Sequence, residues 1–143
     1  GLDVNTTRTE MARSVMEGVV YALNQCLELC KKLGLELDYI TASGGATNSK
    51  TWLQIQSNVF NLPIKTTKCK EQACLGAVIS AAVGAGYFKD FSEACAKFVE
   101  YEEEMIYPDE EAHEEYLKYY EQYKELQNNL IPTLENITLL GRK

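Results

Sequence analysis

Two short β-prone runs, each leading straight into a helical pattern, constrain this chain more than any other feature. Residues 38–42 (Asp-Tyr-Ile-Thr-Ala) run into Ser43-Gly44-Gly45-Ala46, and a helix is predicted from about Ser49 to Phe60. That helix carries Trp52, Ile55, Gln56 and Val59 along one side. Residues 63–67 are the second strand candidate, followed by an Ala-rich helix from Glu71 to Ala85 that Gly84 and Gly86 close. Its small residues (Ala73, Gly76, Ala77, Ala81, Ala82) let it lie close to a sheet or another helix. Repeated strand-turn-helix units pair their strands in parallel and lay helices on the sheet. The expected class is therefore α/β and helix-rich, short parallel strands packed by long helices. Two strands alone make a poor sheet, so further strands are expected upstream of Gly1. A chain opening on Gly rather than Met is also expected to have its true start elsewhere.

Helix signals frame these units. Thr7-x-x-Glu10 reads as a capping box, in which hydroxyl and carboxylate each take a first-turn N–H. Met11, Val15, Val19, Ala22, Cys26 and Cys30 then recur at helical spacing, widened by Met16, Leu23 and Leu27, and this stripe is expected to face the core. Lys31 and Lys32 suit the negative end of the dipole, and Gly34 can supply a left-handed cap. The helix is predicted from about Thr9 to Leu33. A short helix follows from about Ser92 to Phe98. After Pro108 a longer one runs to about Asn129, carrying Tyr116, Tyr119, Tyr120 and Tyr123. No repeat or linker divides the chain. It reads as one domain, residues 1–143, with residues 104–143 as a helical tail packed on it.

Several function classes are excluded. With 14 Lys and Arg against 21 Asp and Glu, the net charge is -7, and no basic surface exists to neutralise nucleic-acid phosphates. The acidity between Glu100 and Glu125 reads as a solvated helix face. Apolar runs are too short for a bilayer span, so no membrane partner is expected. Five cysteines (Cys26, Cys30, Cys69, Cys74, Cys95) form an odd set without a C-x-x-C pair. Buried free thiols in a reducing cytoplasm are the expectation, and the sequons at Asn5 and Asn136 are then coincidences. Cys26 and Cys30 share a helix face, but zinc needs four ligands and the one histidine, His113, is distant; no metal site is expected in this segment. Trp52 is assigned to the core and His113 to the exposed surface. Asp109, Glu110, Glu111, Glu114 and Glu115 suit the start of a helix without any acid–base role.

The stretch with chemical content is Tyr39-Ile-Thr-Ala-Ser-Gly-Gly-Ala-Thr-Asn-Ser49. Glycine removes the Cβ that would hold a ligand off the backbone, and free N–H groups at a helix start suit phosphate. Asn48 and Ser49 offer side chains that can cap the helix or meet a purine edge. Yet the same residues make ordinary turns and caps. The stretch also lacks the glycine spacing of a dinucleotide fold and the Lys-Ser/Thr of a P-loop. By the residues alone both readings stand.

Wider motifs separate them. Gly44-Gly45-Ala46, then Trp52-Leu-Gln-Ile-Gln-Ser-Asn-Val-Phe-Asn-Leu-Pro63, then Glu71-Gln-Ala-Cys-Leu-Gly-Ala-Val-Ile-Ser-Ala-Ala-Val-Gly-Ala-Gly-Tyr87 resembles the C-terminal domain of the FGGY carbohydrate kinases, the xylulokinase branch above all. The opening, Gly1-Leu2, seven residues, then Glu10-Met11-x-x-Ser14-Val15-Met16-Glu17, is similar to that family's second signature. Tyr107 in Tyr-x-Pro and the Tyr-rich spacing after it are also usual there. The resemblance covers about residues 1 to 130.

It implies the C-terminal portion of an actin-like, ribonuclease H-like ATPase fold, two domains around a cleft. Such enzymes pass the γ-phosphoryl group of MgATP to a sugar or polyol hydroxyl. Xylulose is the substrate the branch suggests; gluconate, ribulose and glycerol are alternatives. The sugar site, the catalytic aspartate, the threonine that meets the terminal phosphates and most magnesium ligands would lie in a preceding N-terminal domain. No catalytic residue is expected in this segment, and the fragment alone is expected to be inactive. Its cofactor-binding residues would be Gly44, Gly45 and Ala46, with Asn48 or Ser49 at the adenine; Asn48 is favoured because a carboxamide both donates and accepts. The Tyr-rich helix would pack back on the kinase body, and a homodimer stays open. A reading from another class, a non-catalytic helical interaction module using that acidic helix, would be marked by a failure to bind nucleotide.

Overall fold

The computed structural model describes residues 2–141; Gly1, on which the opening signature pattern begins, lies outside the described residues. Helix α1 (Arg8–Lys32) begins at the expected capping box. The Thr7 hydroxyl accepts from the Glu10 N–H at 3.2 Å, and the Thr7 N–H donates to Glu10 Oε2 at 2.7 Å. The Thr7 N–H foremost, and then the Thr7 hydroxyl donating to the same Oε2 at 2.8 Å, hold the Glu10 carboxyl below its ordinary 4.5. At the other end Gly34 adopts φ 84°, the left-handed cap.

Strand β1 (Ile40–Ala42) and strand β2 (Ile64–Thr66) pair in parallel, Ile40 opposite Ile64 and Ala42 opposite Thr66. Both are shorter than the β-prone runs that announce them. Helix α2 (Lys50–Phe60) is the crossover between them, and its residues Leu53, Ile55, Val59 and Phe60 are buried. With Val20, Tyr21, Ile64, Tyr116 and Tyr120 they make one core. Trp52 packs against it half-buried, its indole N–H without a partner among the described residues.

The periodicity assigns nothing to residues 100–106, and here the structure adds an element. Ile64 and Ile106 exchange backbone bonds of 2.8 and 2.9 Å, and the Glu102 N–H donates to Thr66 O at 2.9 Å. This extended segment runs antiparallel along the edge of β2 opposite β1. A run containing four acids and one Ile carries no alternating apolar signal, so the pairing is set by the partner strand.

Helix α3 (Gln72–Gly84) packs on helix α4 (Phe91–Phe98), and between them Phe88 meets Phe98 at 5.5 Å, edge to face. Helix α5 (Glu110–Leu140) lies along α1, where Tyr21 contacts Tyr116, Tyr120 and Tyr123 with ring centroids 5.5–6.4 Å apart. These tyrosines pack against α1, whereas Tyr119 is exposed.

Four expectations are corrected. The stripe Met11, Val15, Val19, Ala22, Cys26 of α1 faces solvent among the described residues, and Val20, Tyr21 and Asn24 are buried. Apolar residues occupy both sides of α1, and periodicity alone cannot choose between two apolar sides. The cysteines are not buried: Cys26 and Cys74 are exposed and the other three half-buried. Cys26 belongs to the open α1 face and Cys74 to the open side of α3, which explains both. His113 is half-buried, its Nδ1 2.7 Å from the Asn58 carbonyl, because Asn58 also binds the Asp109 N–H and draws the start of α5 onto α2. Finally, α5 does not stop near Asn129 but continues through Pro132 to Leu140. A proline removes one N–H from the ladder and strains one turn; the residues after it resume the helix, with the Thr138 hydroxyl donating to Leu134 O at 2.9 Å.

Candidate functional site

Both strands point their carboxyl ends at the same rim, where ligands sit in open parallel sheets. At that rim β1 ends in Ser43-Gly44, and residues Gly45–Asn48 form one 3₁₀ turn that hands over to α2. Gly44 has φ 80° and ψ -163°, a conformation that is essentially glycine's own. Its carbonyl accepts from the Thr47 N–H at 3.1 Å and from the Thr47 hydroxyl at 2.8 Å, which pins the turn. Gly45 lies outside the left-handed region, so its backbone does not demand glycine. A Cβ built on either glycine meets no heavy atom within 4 Å. The space beside this backbone is open.

All five residues expected at the site are thus gathered in one turn. Gly44, Gly45 and Ala46 form its approach, Asn48 closes it, and Ser49 begins the helix. Asn48 and Ser49 have different tasks. The Ser49 hydroxyl accepts from the Trp52 N–H at 3.2 Å and is the N-cap of α2. Asn48 is exposed and turns its Oδ1 to the Lys70 ammonium at 3.1 Å. The first turn of α2 presents free N–H groups and the positive end of a helix dipole toward the same rim.

A cavity of about 530 Å³ adjoins the turn, walled by Asn48, Lys50 and Gln54 on one side and by Thr66, Thr67 and Lys70 on the other. Glu102 and Glu104 close its far edge. It is open and its lining is mixed, with Leu53, Met105 and Ile106 beside the polar groups. Sequence reasoning passes over Lys70, which sits 22 positions beyond its contact. The signal that could find it is the second strand-to-helix connection, because a parallel neighbour brings that loop to the same rim. Among the described residues no group of three or more His, Cys, Asp or Glu is placed to hold a metal, and no helix is long and apolar enough to cross a membrane.

Known proteins resemble this chain. Residues 1–85 match the model of the FGGY family of carbohydrate kinases, C-terminal domain. A xylulose kinase of Staphylococcus epidermidis is 36% identical over 124 residues, 87% of this chain and 25% of its own length. Among solved structures, the ligand-bound xylulose kinase of Lactobacillus acidophilus superposes with a TM-score of 0.80 at 30% identity, covering 92% of this chain and 26% of that one. The gluconate kinase of the same organism gives 0.77 at 30% identity, covering 91% and 26%. The chain thus spans about a quarter of the length of the relatives it matches. Its fold is, as expected, the C-terminal portion of the actin-like, ribonuclease H-like architecture.

Proposed function

Because this chain belongs to the FGGY family of carbohydrate kinases, as its C-terminal domain, we propose that it is the nucleotide-holding part of a sugar kinase. The observation that carries this reading is the Gly44–Gly45 turn: it ends a parallel strand, opens onto a helix start, and leaves unfilled the space a Cβ would take. Phosphate needs that combination, since close backbone approach and N–H groups at a helix start serve it without a charged side chain.

In this reading ATP supplies the phosphoryl group when bound. Gly44 and Gly45 admit it close to the backbone, the start of α2 favours its negative charge, and Asn48 meets the base. Ser49 is occupied as the cap of α2 and keeps the turn in register with the helix. Magnesium fits the phosphates and groups outside this segment better than the described residues, which offer it no carboxylate set. The aspartate that takes the hydroxyl proton belongs to an N-terminal domain, and the two parts close around the sugar. Transfer then depends on alignment and charge neutralisation. The open apolar face of α1 is where the remainder of the protein packs.

Xylulose is the favoured acceptor, supported by the xylulose kinases of Staphylococcus and Lactobacillus among the relatives. The test is a coupled assay of ATP-dependent phosphorylation by the full-length protein with xylulose, gluconate, ribulose and glycerol in parallel. Turnover is expected with xylulose foremost, and none from residues 1–143 alone. No turnover with any of the four would refute the kinase reading; turnover by the segment alone would refute the division of labour.

A further inference from the structure

The contact between Lys70 and Asn48 joins the two strand-to-helix connections across the cavity rim. Lysine carries three donors and no acceptor, so the carboxamide atom facing it must be the oxygen. The Asn48 Nδ2 then points away from Lys70, and among the described residues its two donors make no hydrogen bond. Lys70 is itself well placed to hold this orientation, because its loop is braced. The Thr67 hydroxyl donates to the Cys69 carbonyl at 3.1 Å, and the Gln72 amide donates to Thr67 Oγ1 at 2.6 Å. Among the described residues, the hydrogen bond recorded for the Lys70 ammonium is the one to Asn48.

We infer that Lys70 is a positioning residue for nucleotide choice: it turns the Asn48 carboxamide donor-outward, so that the base is met through its acceptors. This rests on the reading of Asn48 as the residue that meets the base. Purines differ at position 6, where adenine carries an amine that donates and hypoxanthine a carbonyl that accepts. A free carboxamide could turn its oxygen to the amine and so prefer adenine. A carboxamide whose oxygen is turned toward the ammonium presents its N–H groups to the base instead, and these find a ring nitrogen in either base or the carbonyl of the second. The consequence is tolerance at position 6, with ATP and ITP both serving as phosphoryl donor.

The experiment is steady-state kinetics of the full-length protein at saturating sugar, with ATP and ITP as alternative donors, for the wild type, Lys70→Met and Lys70→Arg. In the wild type the KM for ITP is expected within about threefold of that for ATP. In Lys70→Met the ratio of the two should rise by about threefold to tenfold, the size of one exposed hydrogen bond to a charged group. Lys70→Arg, also a donor without an acceptor, should keep the wild-type ratio. A merely structural loop role would move both KM values together and leave the ratio unchanged. Equal ratios in all three proteins, or a wild type that strongly prefers ATP, would overturn the inference while the nucleotide site stands. Absence of saturation with either nucleotide would overturn the site itself, and the inference with it. Asn48→Asp gives a second check: it keeps the contact to Lys70 but has no N–H to offer, so binding of both nucleotides should weaken alike.

Discussion

Adjacent glycines at the β1–α2 turn should respond to alanine in opposite ways. At Gly44 the penalty is conformational. With φ 80° and ψ -163° the backbone stands where an L side chain is strained, at a cost of about 1–3 kcal/mol, although space for the methyl is open. Gly44→Ala should therefore lower Tm by several degrees. At Gly45 neither constraint applies: the residue is outside the left-handed region and its added Cβ meets nothing within 4 Å. Alanine there also removes freedom from the unfolded chain. Gly45→Ala should be neutral to about 1 kcal/mol stabilising. On the proposed reading its methyl would nevertheless stand where the phosphates approach, and nucleotide binding should weaken about tenfold or more, which is about 1.4 kcal/mol. Calorimetric unfolding reads the stability, and ATP titration of the full-length protein reads the affinity. If Gly45→Ala folds normally and binds ATP as tightly as the wild type, the space beside the turn is not the ligand's. If Gly44→Ala is as stable as the wild type, the turn does not have this backbone.

Other consequences can be checked separately. Tyr120 is 2% exposed, and among the described residues its hydroxyl makes no well-formed hydrogen bond, although Glu28 and Asn24 lie near it. Burial foremost, then the nearby Glu28 charge, pushes that hydroxyl up to about 12. Tyr120→Phe should therefore be neutral or up to about 1 kcal/mol stabilising in urea unfolding, whereas Tyr120→Ala should cost about 3–5 kcal/mol; a clear loss with Phe would mean that the hydroxyl is paired. The Glu10 carboxyl is depressed when folded, so its contribution is complete above its ordinary 4.5 and is lost as pH falls through the lower, folded value. Glu10→Gln should flatten the acid limb of stability against pH, and an unchanged limb would remove the capping box from the account. Cys26 lies on the open apolar face of α1. Alkylation of this thiol should be fast in the isolated segment and slow in the full-length protein; equal rates would mean that the face stays uncovered.

Local chemistry made much of the fold readable. Thr7 and Glu10, Ser49 before α2, Gly34 and Gly86 mark helix ends because caps and left-handed residues are decided by a few neighbouring atoms. The turn between β1 and α2 was legible for the same reason. What depended on partners was not. Nothing in α1 says whether Val19 or Val20 meets the core, because both sides of the helix are apolar. The segment from Tyr101 to Ile106 pairs with β2 through backbone groups, which leave no trace in side-chain periodicity. His113 was read from its acidic neighbours, while its position is set by Asn58, a residue 55 positions away. Lys70 belongs with these: its meaning comes from the parallel register of β1 and β2, which places two loops on one rim.

The central claim, that residues 44–49 hold the nucleotide, is tested most directly by amide hydrogen exchange of the full-length protein with and without MgATP. Slower exchange is expected at the Gly44–Ser49 turn and the first turn of α2, with α5 unaffected, since only the former would be covered by ligand. Saturating ATP that leaves this turn exchanging as before, or that protects α5 in its place, would contradict the account.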